Sequence, residues 1–225
     1  MPAVASFPQR GQRKAISVRA RLRGAMEPLQ HNATRDSLLA LLSEWRERVE
    51  DWCAGRSWLA RAPLVVWLAY VAVRHLADPL YTSLFGSLNL ALHEGGHLLF
   101  GYLPGEFLTV AGGTLLQLAA PVLSAVMFLR QPDYFAITVC GAWLATNLYN
   151  VAAYIADARA QELPLVTVGD GECVICHDWG YMLGQLGMLS LDTTLAGLVR
   201  LLAFLVMWGS LAAGGWMLWR MARKV

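Results

Sequence analysis

Between residues 36 and 55, apolar positions recur every three or four residues: Leu38, Leu39, Leu41, Leu42, Trp45, Val49 and Trp52. Arg46, Glu47, Arg48, Glu50 and Asp51 stand among them. That period predicts an amphipathic helix, and residues 36–61 read as a segment lying on a membrane or on the protein itself. From residue 62 the polar positions thin out. Apolar runs over 81–102, 107–129, 134–155 and 195–219 are each long enough to cross a bilayer, which takes about 20 residues. A shorter run over 62–73 stops at Arg74-His75 and reads as a short or tilted span or an interfacial piece. A polar loop over 157–179 separates the third long run from the last. The expected fold is all-α. Residues 62–225 should form a transmembrane helical bundle of about four to five spans, preceded by the amphipathic helix.

Composition agrees with a membrane protein. Hydrophobic residues make up 56% of the chain and charged residues 15%, against about 25% charged in soluble domains. Eleven of the 18 Lys and Arg precede residue 62, and Arg220, Arg223 and Lys224 close the chain. Basic flanks resist translocation, so both termini are expected in the cytoplasm of an inner- or plasma-membrane protein, with an even number of full spans. Residues 1–35 read as a disordered basic arm able to meet anionic headgroups. The first apolar run comes too late for a secretory signal peptide. There is no phosphate-binding loop, and a basic arm alone is weak ground for a nucleic-acid partner.

The sharpest chemical signal is His93-Glu94-Gly95-Gly96-His97. Helix positions four apart share a face, one turn apart, so both imidazoles can hold one metal ion. Glu94 lies about 100° round the helix from His93 and borders the open coordination position. There it can take a proton from water and return it to a leaving amine. Zinc supplies the matching chemistry, by acidifying water and polarising a carbonyl. Ionisable groups inside an apolar run cost several kcal/mol unless paired, and a metal ion relieves that cost. Gly95 and Gly96 permit close approach of another backbone, either a packed helix or an extended substrate.

With H-E-x-x-H inside an expected span, the chain resembles the site-2 protease class of intramembrane zinc metallopeptidases. That resemblance implies peptide-bond hydrolysis, with an aspartate of a later span as third ligand, often in an Asn-containing motif ending in Asp-Gly. Asn147 or Asn150 and Asp157 stand where that motif would fall, although the family's proline is missing and Ala158 replaces its glycine. Gly112-Gly113-Thr114 through Ala120-Pro121 resembles the glycine-rich turn and small-residue–Pro stretch that follow the zinc helix. The resemblance covers about residues 85–160, and only its first motif is sharp.

A catalytic zinc takes three protein ligands and keeps one position open. The third ligand is expected from Asp157, with His177 and Asp178 as alternatives. An Asp beside a ligand His can also orient it. Cys173-Val174-Ile175-Cys176-His177 spells C-x-x-C-H, the attachment pattern of c-type haem, so a haem-carrying electron-transfer subunit is an alternative reading. Another is a non-catalytic metal-binding accessory subunit of a membrane complex. For the peptidase the expected partners are the bilayer and a membrane-embedded or membrane-adjacent peptide.

Overall fold

The computed structural model describes residues 37–163 and 177–223. The basic arm over 1–35 and the Cys173/Cys176 pair therefore lie outside the described residues. The chain divides into two compact units, Met1–Asp51 and Trp52–Val225. Most of helix α1, over 37–53, belongs to the first, where Leu38, Leu39, Leu41 and Leu42 are all exposed.

The regular elements among the described residues of the second unit are all helical: α2 (Ala62–Ala77), α3 (Gly86–Phe100), α4 (Glu106–Arg130), α5 (Tyr134–Ala156), α6 (Asp178–Gln185), a 3-10 turn (Leu189–Leu191) and α7 (Asp192–Arg223). Three helices are long and apolar enough to cross a membrane: α4, α5 and the stretch Leu189–Arg223 that contains α7. The run over 81–102 is shorter as a helix than its sequence suggests. The Asp78 carboxylate accepts the Leu80 N–H, and the Ser83 hydroxyl accepts the Phe85 N–H, local bonds that compete with helix formation. Helix α3 is left with 15 residues, about 22 Å at 1.5 Å per residue, short of a hydrocarbon core about 30 Å thick. Helix α2 is likewise an apolar helix below spanning length. Gly112-Gly113-Thr114 through Ala120-Pro121, which in sequence resembles a glycine-rich turn and a small-residue–Pro stretch, runs through the interior of α4.

Helix α5 is central. Over its most apolar stretch 56% is buried, against 28% for α4 and 17% for the α7 stretch. It packs along α7 and against α4, while α3 packs on α4. The buried positions of α7 are Asp192, Ala196, Ala203, Met207, Gly214, Met217 and Met221. Their steps of three, four and seven place them on one face. Ala142 and Ala145 of α5 meet Ala203 in the core with Leu68, Val71 and Ala72 of α2. Small residues of this kind let helix backbones approach closely, the usual basis of packing in lipid. A second cluster joins Val151 and Ile155 of α5, Ala158, Leu183 of α6 and Ala196. It seats α6 at the far end of α5.

Candidate metal centre

His93 and His97 stand one turn apart on α3, with ring centroids 4.7 Å apart and planes at 84°. Their Nε2 atoms are 3.1 Å apart. The third group is Asp178, first residue of α6. Its Oδ2 lies 2.9 Å from His93 Nε2 and 3.2 Å from His97 Nε2. Among the described residues these three side chains form a cluster able to hold a metal ion.

Each imidazole is oriented from behind. His97 Nδ1 lies 2.9 Å from the Thr109 carbonyl oxygen, and His93 Nδ1 lies 3.1 Å from Gln117 Oε1. Both partners only accept, so each Nδ1 carries the hydrogen and a neutral ring keeps its lone pair on Nε2. Gln117 is fixed in turn, donating through Nε2 to Asn150 Oδ1 at 3.0 Å. This is the arrangement that sets tautomer and ring angle in metal sites. Burial pushes the Asp178 carboxyl up, but hydrogen bonds and charge from the two histidines in their protonated form outweigh it and hold the group down at about 2. It is therefore a carboxylate at neutral pH.

With protonated rings the Nε2 hydrogens bind the Asp178 carboxylate directly, and with neutral rings a cation among the three atoms would take the place of those protons. Tetrahedral zinc with ligands at about 2.0–2.1 Å separates its donors by about 3.3 Å. The observed 2.9–3.2 Å meets that requirement with a small expansion, so the donor set and its geometry fit zinc.

The backbone of α4 runs against the rings. A Cβ on Gly113 would lie 2.6 Å from His97 Nε2 and 2.8 Å from His93 Cε1. Gly96 faces Gly112 so closely that a Cβ there would collide with the Gly112 carbonyl, whereas one on Gly95 would meet only Leu116 at an ordinary 3.8 Å. Of the two motif glycines, Gly96 thus serves helix packing. Glu94 is half-buried and makes no hydrogen bond among the described residues, and its charge acts on His97. A cleft of about 210 Å³ is lined by Tyr81, Thr82, Asn150, Ala153, Tyr154 and Leu163, among others, and Asn150 links it to Gln117 behind His93.

Asp157, expected first as third ligand, does not reach the histidine pair. It ends α5 and accepts the backbone N–H groups of Glu162 (2.9 Å) and Leu163 (3.1 Å). The remaining direction is taken by His177 Nε2 at 3.3 Å. His177 has both nitrogens engaged, since Nδ1 accepts the Gly180 N–H at 3.0 Å to cap α6. This leaves neither nitrogen free for a metal or for a haem iron. Arg159, just beyond α5, makes a two-pronged ion pair with Asp192, at 2.6 and 2.8 Å. Sequence reasoning misses Thr109 altogether, and it singles out Asn150 and Gly113 only as motif matches, not as the partner of Gln117 and the close neighbour of both rings. Only the glycine pair in α4 and a polar Gln117 in an apolar run mark the region.

No protein-family model matches this chain, and neither a curated protein nor a solved structure matches it.

Proposed function

We propose that the chain is an intramembrane zinc metallopeptidase acting on membrane-embedded or membrane-adjacent peptides. The observation that carries this reading is the convergence of His93 Nε2, His97 Nε2 and Asp178 Oδ2 beside an uncommitted Glu94. His93, His97 and Asp178 hold the ion, which supplies an acidified water and a Lewis acid for the scissile carbonyl. Glu94 accepts the proton of the attacking water on its carboxylate and returns it to the leaving amine nitrogen. Gln117 and the Thr109 carbonyl keep the two Nε2 lone pairs turned to the centre. The cleft at Tyr81 and Tyr154 receives a substrate side chain next to the reacting bond. His177, with both nitrogens occupied, lends the haem reading no support.

Glu94→Gln tests the assignment. In the purified full chain it should keep about one zinc per chain while cleavage of reconstituted single-span peptides falls by about 10²–10⁴-fold. Cleavage at the parental rate removes Glu94 from the chemistry. Parent protein that takes up no zinc ends the metallopeptidase reading.

A further inference from the structure

Helix α6 brings Asp178 to the centre and is seated by the buried Met182 and Leu183 at its other end. Its described polar links are few. Tyr181 Oη donates to Glu106 Oε2 at 3.2 Å in an exposed contact. The stronger polar tie is at its start. His177 is the residue immediately before Asp178, and its side chain is almost wholly buried, as is that of Asp157. Capping by Nδ1 leaves the hydrogen on Nε2, which donates to Asp157 Oδ2. Asp157 is itself fixed by two backbone N–H groups. The first turn of α6 also lies directly on the turn after α5. A Cβ on Gly180 would come within 2.9 Å of Gln161 Nε2 and 3.0 Å of the Ala158 carbonyl.

We infer that Asp157 and His177 form a latch that positions Asp178, so that both act on the metal centre through the place they give its third ligand. The inference rests on the zinc reading above and deepens it. The hydrogen bond that His177 Nε2 donates to Asp157 fixes the ring. The ring caps α6 and so sets the backbone of the next residue. That backbone sets where the Asp178 carboxylate falls relative to His93 and His97. Both are positioning residues, since neither reaches the ion.

The test is zinc affinity of the full chain in detergent, measured by competition with a chromophoric chelator, with Zn²⁺ as the probe. Asp157→Ala and His177→Ala should each weaken binding by about 10–100-fold, the usual effect of losing a group that orients a ligand. Because the two work as one unit, the double variant should be no weaker than the weaker single. His177→Asn keeps a side chain able to cap α6 but too short for Asp157, and should bind as weakly as His177→Ala. Gly180→Ala removes no polar group, so if the histidine variants fail to fold, its loss of affinity decides. Singles with parental affinity overturn the latch and leave the zinc reading standing. So do additive singles, or His177→Asn binding like the parent. Asp157→Ala that abolishes binding as completely as His97→Ala makes Asp157 a ligand and also overturns it. Parent chain with no zinc affinity removes the zinc reading and the latch with it.

Discussion

Gly113 of α4 and Gly95 of the histidine helix α3 answer differently to one methyl group. On Gly113 the methyl would enter the space of both imidazoles, closer than any relaxed contact. On Gly95 it finds ordinary room and a helix that gains about 1 kcal/mol from the exchange. Gly113→Ala should therefore lose most of its zinc affinity in chelator competition, while Gly95→Ala should bind as the parent and melt no lower. Gln117→Leu should weaken zinc by about 10–100-fold, because His93 Nδ1 then loses the acceptor that fixes its tautomer. The histidine pair is legible in the sequence because a spacing of four is a local property of one helix. The third member of the cluster, Asp178, is not. Asp157 and Asp178 both follow apolar or loop sequence at plausible distances, and the choice between them depends on where the chain returns after residue 163. Thr109 acts through its carbonyl, which no side chain advertises.

At the scale of elements, the long apolar runs announce α4, α5 and α7 correctly because length and composition are read from consecutive residues. The run over 81–102 misleads because its first residues are apolar enough to join it. The Asp78 and Ser83 side chains nevertheless take the backbone N–H groups that a longer helix would use. Arg159 and Asp192, 33 residues apart, are paired by the packing of α5 on α7 and by nothing local. Asp192 is buried while Arg159 is half-exposed, so removing the arginine strands a carboxylate that has lost its charged partner. Arg159→Ala should lower the Tm of the detergent-solubilised chain, whereas Arg130→Ala, at the exposed end of α4, should leave it unchanged. Equal melting of the two variants would mean that the pair holds nothing together. Gly96→Ala belongs here too, since its Cβ meets the Gly112 backbone and the two helices must separate to admit it. It should lower both Tm and zinc affinity.

For the whole molecule, the outward faces matter as much as the core. Leu198, Leu201, Leu202 and Leu205 of α7 are exposed, as are Leu115, Val122, Leu123 and Val126 of α4. Exposed apolar stripes of this extent are disfavoured in water and natural in lipid. Inside this apolar body the metal centre gathers His93 and His97 from α3 and Asp178 from α6. Helices α3 and α6 both lie on α4. An ion bound by all three ties together elements that are otherwise joined by few polar links. A ligand that binds only the folded chain stabilises it by RT ln(1 + [L]/Kd), about 2.7 kcal/mol at a hundredfold excess over Kd. Stripping zinc with a chelator should therefore lower Tm, and added Zn²⁺ should restore it in proportion to the logarithm of its concentration. In Asp178→Ala the dependence should shrink to what two histidines can hold. In His93→Ala/His97→Ala it should vanish. A parent chain whose melting ignores both chelator and Zn²⁺ would mean that the three side chains meet for reasons other than a metal.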